Sequence, residues 1–203
     1  MDVRWDRVAS FWQWVEARLC PAVASDVAWY APNKGFLPRL EAEVSALGPF
    51  DFEVGPYGEQ VFLALSPRGV RQAYAATREI VARAPAVPGW VFLPAKPKKP
   101  WDLSRIALRL RSGQPVLVNA TAWQVVVHRF KDGLRDIVLV SDDSGLSLDD
   151  RQLIATTIVD GEVGEGVRID KVNDIEVVEQ FTDRERPAAR RLVAGLLARA
   201  LAD

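Results

Sequence analysis

Residues 50–93, FDFEVGPYGEQVFLALSPRGVRQAYAATREIVARAPAVPGWVFL, carry the pattern that decides the fold. Phe50, Phe52 and Val54 alternate with Asp51 and Glu53, the period-two signature of a half-buried strand. Gly55-Pro56-Tyr57-Gly58 reads as a turn, and Val61 to Leu65 as a returning strand, apolar on both sides and so covered on both faces. Ser66 reads as a helix cap with Pro67 in the first turn. Val70, Ala73, Tyr74, Thr77, Ile80, Val81 and Ala84 then form one apolar stripe, opposite a face rich in arginine. Pro85 stops this helix, Pro88-Gly89 turns the chain, and Trp90 to Leu93 is a third strand.

The same order of elements recurs at about residues 122–179. Trp123 to Phe130 is a valine-rich strand, Lys131-Asp132-Gly133 a hairpin turn, and Ile137 to Val140 the returning strand. Ser147 and Asp150 form a capping-box start for a helix running through Leu148, Leu153, Ile154, Thr157 and Ile158, with Gly161 as its end. An extended segment follows, Val167 to Ile169 and then Ile175 to Val178. The two stretches match in pattern and not in residue identity, so recurrence of a common hairpin-plus-helix arrangement stands beside duplication. The expected fold is α+β: two β-β-α-β units in a mixed, mainly antiparallel sheet, or in two abutting sheets, with helices packed on it.

Three further helices flank these units. Trp5, Val8, Phe11, Trp12, Val15 and Leu19 recur at helical spacing before Pro21, which ends the segment. Phe36, Leu37, Leu40, Val44 and Leu47 mark a second helix, closed by Gly48-Pro49. Leu192, Val193, Leu196, Leu197, Ala200 and Leu201 mark a third. Trp14 falls off the apolar line of the first helix and is expected to fill the gap to the second. The resulting division is 1–49 (helical), 50–121 (first unit and a basic connector), 122–181 (second unit) and 182–203 (C-terminal helix), all within one compact domain.

Composition narrows the functional classes. The chain is 203 residues long with a net charge of −1, which argues against a dedicated nucleic-acid binder. No apolar run approaches a membrane span, the first residues lack the basic-then-apolar order of a signal peptide, and a single cysteine excludes an internal disulfide. A cytoplasmic location is the expectation. His128 is the only histidine, so His-pair metal sites are excluded; its place in a valine-rich strand reads as a packed side chain. Cys20 reads as a small buried hydrophobe. Gly161, Gly164 and Gly166 reverse the dinucleotide-binding spacing and sit beside Glu162 and Glu165, which would repel phosphate. The acidic run Asp142-Asp143-Ser144-Gly145 lacks the ligand order of a calcium loop and is expected to hold no metal. No cofactor is implied.

Charge is unevenly distributed. Between Lys96 and Arg111 stand Lys96, Lys98, Lys99, Arg105, Arg109 and Arg111 against Asp102 alone, after prolines that favour an extended form and beside Trp101. Residues 142–176 hold ten acidic residues against Arg151, Arg168 and Lys171. The expected function is therefore a binding or protein-interaction role, adaptor-like or immunity-like. It would use Trp90, Lys96, Lys98, Lys99, Trp101 and Arg105, with a protein as the partner and no catalytic residue assigned. Two alternatives stay open. One is an enzyme or small-ligand receptor with a pocket between the repeats near His128 and Arg129. The other is nucleic-acid binding through the basic 96–111 segment.

Three segments carry a resemblance: Phe11-Trp12-Gln13-Trp14, Ala84 to Phe92 running into Lys96-Pro97, and Ile158-Val159-Asp160-Gly161-Glu162. Over most of its length the chain resembles a family of uncharacterised bacterial proteins with an aromatic N-terminal helix and a Pro-Gly-Trp strand segment. The resemblance implies no activity, cofactor or site residue.

Overall fold

The computed structural model describes residues 2–24, 35–141 and 145–202. It is an α+β protein whose chain divides into two compact units, residues 1–96 and 97–203. In the first, the helices are α1 (Val8–Trp14), α2 (Cys20–Ala24), α3 (Leu37–Ser45) and α4 (Arg71–Val81); the strands are β1 (Asp51–Tyr57), β2 (Gln60–Ser66) and β3 (Trp90–Leu93). The second contains β4 (Ile106–Arg109), β5 (Pro115–Val118), β6 (Gln124–Arg129) and β7 (Arg135–Val140), then α5 (Leu148–Val163) and α6 (Glu165–Lys171). It closes with β8 (Val172–Val178), β9 (Arg190–Arg191) and α7 (Leu196–Ala202).

In the first unit, β1 and β2 pair antiparallel from Asp51↔Ser66 to Tyr57↔Gln60, and β3 joins β2 in parallel through Val61↔Trp90 to Ala64↔Leu93. This is a β-β-α-β order with α4 as the crossover. β1 runs through Gly55 and Pro56 instead of turning there. Gly55 lies opposite Phe62, whose ring occupies the space a side chain would need: a Cβ on Gly55 would stand 2.5 Å from the Phe62 ring. Proline is tolerated at position 56 because β1 is an edge strand. Ser66 belongs to β2 and caps a turn, not a helix. Its Oγ accepts a bond from the Arg68 N–H (3.2 Å), and α4 begins only at Arg71.

The N-terminal helical run also departs from expectation. Between α1 and α2 the backbone widens into a π-type turn at Val15–Leu19, and Pro21 lies inside α2 rather than ending the run. Proline has no N–H to close a normal turn, and a widened turn ahead of it absorbs the missing bond. Val8, Phe11, Trp12, Val15, Leu19, Leu40, Val44, Leu63, Leu65 and Ile80 share one core. Trp12 is its fastening. The ring packs on Phe11 and Phe92 with centroids 4.9 Å away in each case, and the indole N–H donates to the Ile80 carbonyl at 2.9 Å. Trp14 packs, partly buried, against the same core.

In the second unit β6, β7, α5, α6 and β8 follow in the order β-β-α-α-β, and their strands lie in a separate sheet, β8-β7-β6-β9. β6 and β7 are antiparallel, and β7 and β8 parallel. One face, with Val125, Ile137, Leu139 and Val177, packs on Ile154, Ala155, Ile158 and Val159 of α5. The other face, with Val126 and Val138, is covered by Phe181. Ser147 caps α5 as expected, its Oγ accepting from the Asp150 N–H at 3.1 Å. The helix passes through Gly161, however, and stops at Gly164, which takes φ +87. Val167 to Ile169, read from sequence as extended, lie instead in α6, because Gly164 at positive φ turns the chain and a new helix starts at once.

The segment 97–121 belongs to this second unit and not to the first. Leu103, Ile106, Val118 and Ala120 are buried in its core, and β4 and β5 form an antiparallel hairpin that the charge pattern had concealed. Two arginines, Arg190 and Arg191, form β9 against β6, which shortens the C-terminal helix to α7 and leaves Leu192 buried ahead of it. β8 is an edge strand. The Gln152 side chain of α5 lies along it, donating to the Ile175 carbonyl (2.6 Å) and accepting from the Val177 N–H (3.1 Å).

Among the described residues no helix is long and apolar enough to cross a membrane. Cys20 is 5 % exposed, and burial, assisted by Glu16, pushes its thiol up to about 12. A thiol held that high has almost no thiolate at neutral pH. The native protein should therefore leave Ellman's reagent nearly unconsumed at pH 8 and release one equivalent on unfolding in guanidinium. Rapid reaction of the native thiol would contradict the burial of this side chain.

Candidate functional site

The sequence-predicted binding residues divide between the units. Trp90 and Lys96 belong to the first; Lys98, Lys99, Trp101 and Arg105 belong to the second. Trp90 is only 8 % exposed and stacks on Phe92 in the core (centroids 6.1 Å), so its ring is a packing group. Lys96 lies with its ammonium 3.4 Å from the Asp51 carboxylate. Arg105 is exposed at the start of the β4–β5 hairpin.

The other three gather at one place. The extended segment of residues 97–101 is laid on α5. The Lys99 N–H donates to the Gly161 carbonyl at 2.6 Å, and the Trp101 ring occupies the space above Gly161. A Cβ at position 161 would collide with that ring, so glycine is required here by the tryptophan and not by the helix end. The next residue, Glu162, is 9 % exposed, and its Oε2 accepts from the Gly195 N–H at 2.7 Å. A buried carboxylate is stabilised by such a bond, and here it ties the residues before α7 to α5.

A cleft of about 410 Å3 results, walled by Pro100, Trp101, Ala194 and Ala198, with Glu162 and Gly195 within it and Lys98 and Lys99 beside it. Lys98 is exposed, whereas Lys99 is half-buried and its amine is shifted below the usual lysine range by desolvation. An apolar wall next to one solvated and one partly desolvated cation suits a ligand group that combines an acidic end with a hydrocarbon body. Trp101 and the lysines were visible in the sequence. Glu162, Ala194, Gly195 and Ala198 were not, because they come from α5, from the residues just ahead of α7 and from α7 itself, and only the fold brings them to residues 98–101.

His128 and Arg129 both lie in β6. His128 is neither sealed among valines nor free: its Nε2 is 2.9 Å from Glu185 Oε1. The other Glu185 oxygen accepts from the backbone N–H and the hydroxyl of Thr182 at 2.9 and 2.7 Å, while Thr182 Oγ1 accepts from the Glu185 N–H at 3.3 Å. This reciprocal capping arrangement closes the turn at residues 182–185, and the histidine pins that turn to the sheet. The contact holds the covering segment in place. The acidic cation loop read at residues 142–145 falls largely outside the described residues, and among the described residues no cluster has metal-ligand composition. No family model, curated protein or solved structure matches the chain.

Replacing Gly161 with alanine should displace the Trp101 ring, with a stability loss of about 1–3 kcal/mol from overpacking. The checks are denaturant unfolding and a change in tryptophan emission. Glu185 offers a second test. The Thr182 bonds, with a contribution from His128, hold its carboxyl down at about 2, below the ordinary 4.5. A depressed acid stabilises the fold above its unfolded value and loses that contribution as pH falls from about 4.5 toward about 2. Glu185→Gln should therefore lower the melting temperature at pH 7 and make the fall in stability between pH 5 and pH 2 shallower than in the wild type. Parallel melting curves across that range would check it.

Proposed function

We propose that the protein is a binding protein whose second unit takes an acidic, apolar-flanked segment of a protein partner in the cleft beside Lys98, Lys99 and Trp101. The observation that carries this reading is the placement of the half-buried Lys99 amine and the exposed Lys98 next to an apolar wall. Water is partly displaced at Lys99, so a partner carboxylate meets a cation that is less well solvated than a surface lysine and interacts with it more strongly. Trp101, fixed over Gly161, supplies a rigid aromatic surface of the kind that anchors interfaces. An adaptor-like or immunity-like role is one form of such a function, exercised in the cytoplasm.

The basic hairpin that follows, with Arg105, Arg109 and Arg111 exposed, is the feature that would favour nucleic acid instead. Affinity capture on tagged protein, with and without nuclease, separates the two. A stoichiometric protein that survives nuclease should be recovered by the wild type. It should also be recovered by Lys96→Ala, whose lysine lies by Asp51 in the other unit, and be lost by Lys98→Ala/Lys99→Ala. Capture abolished by nuclease would assign the surface to nucleic acid. Capture unchanged in the double variant would remove the cleft from the interface.

A further inference from the structure

In the first unit, two concavities share Arg68 in their lining. One, of about 340 Å3, is lined by Glu41, Ser45, Asp51 and Phe52 among others. The second, of about 460 Å3, is lined by Pro49, Pro67, Val70 and Ala73. The first is mostly polar and carries both signs of charge; the second is hydrocarbon apart from Arg68.

The charges of the first concavity do not neutralise one another. Among the described residues, neither the Arg68 guanidinium nor the Glu41 carboxylate makes an ion pair or a side-chain hydrogen bond, although both line the same hollow. Asp51 is already engaged, with one oxygen 3.4 Å from Lys96 Nζ and the other accepting from the Phe52 N–H at 2.8 Å. The open pair is therefore Arg68 and Glu41. Opposite charges on the walls of one hollow, without contact between them, complement a small molecule that carries both charges itself.

Position 68 is also costly to fill with arginine. It holds φ +55, the left-handed region that only glycine enters freely, and it is the only non-glycine residue with positive φ among the described residues. Val70, two residues on, is 52 % exposed, an apolar side chain presented to the second concavity and not used by the core.

We propose that these two concavities form a binding site for a free apolar α-amino acid. The planar guanidinium of Arg68 receives the carboxylate through two parallel N–H donors. Glu41 receives the ammonium group, and the hydrocarbon side chain lies against Pro49, Pro67, Val70 and Ala73. The site is confined to the first unit and shares no residue with the cleft beside Lys98 and Lys99.

The test is calorimetric titration of the full chain with L-leucine and L-phenylalanine. The comparison ligands are N-acetyl-L-leucine, which lacks the ammonium, L-leucinamide, which lacks the carboxylate, and L-glutamate, which lacks the apolar side chain. Saturable binding of leucine or phenylalanine is expected, with each comparison ligand weaker by about tenfold or more, since each leaves a group of the site unpaired or unfilled. Arg68→Gly should abolish binding while raising the melting temperature, because glycine relieves the backbone at that position. Glu41→Gln, on the exposed face of α3, should weaken binding with the fold intact. The proposal is overturned if neither amino acid binds at millimolar concentration. It is equally overturned if the capped derivatives bind as well as the parents, or if Arg68→Gly binds like the wild type.

Discussion

The contact on which the second unit turns is the Trp101 ring seated on the bare backbone of Gly161. A helix normally shows its neighbours a layer of side chains about one residue deep. Here that layer is removed at a single position, and a segment with no regular structure approaches the α5 backbone closely enough for Lys99 to hydrogen-bond the Gly161 carbonyl. That approach makes residues 97–101 part of the unit instead of a loose connector. It also places the two lysines against an apolar wall, and it puts the buried Glu162 next in line to secure the residues ahead of α7. The cleft is a by-product of close packing, which is why its lining comes from three separate parts of the chain.

The two proposed sites use different physics. The cleft beside Trp101 relies on desolvation: a half-buried amine strengthens its hold on a carboxylate because water competes poorly there. The hollow at Arg68 relies on separation: a cation and an anion are held apart on its walls, and an occupant joins them. The first favours a large partner that excludes water over a wide area. The second favours a small zwitterion that fits between fixed charges.

Much of the architecture was legible because strand alternation and helical stripes are local signals. The hairpins Phe50–Leu65 and Trp123–Val140, and the presence of a strand after each helix, could be read from residue order; the parallel pairing of that strand could not, because it is set by the crossover and not by any local pattern. Several misreadings share a cause: glycine and proline were taken as punctuation where the structure gives them other tasks. Gly55 makes room for Phe62 within a strand, Gly161 makes room for Trp101 within a helix, and Pro21 continues a helix beyond a widened turn. The β4–β5 hairpin was hidden by its arginines, although Ile106, Leu108 and Val116, Val118 carry the alternation of a strand pair. At the sites, residue type was visible and proximity was not. Glu162 and Gly195, or Glu41 and Arg68, are too far apart in sequence for any spacing rule to join them.

The Gln152 side chain bears on what the open edge of the second sheet can pair with. An unoccupied strand edge is a template, and a seven-residue edge such as β8 invites a second strand, from another copy or from a partly folded chain. By offering a carbonyl and an amide at strand spacing, the Gln152 side chain imitates one residue of that absent neighbour and occupies the middle of the edge. Two edge groups that a pairing strand would need are thereby already satisfied, at the cost of fixing one side chain. An evolutionary path that replaced it with an apolar residue of similar size could leave the core intact and still expose the chain to self-assembly.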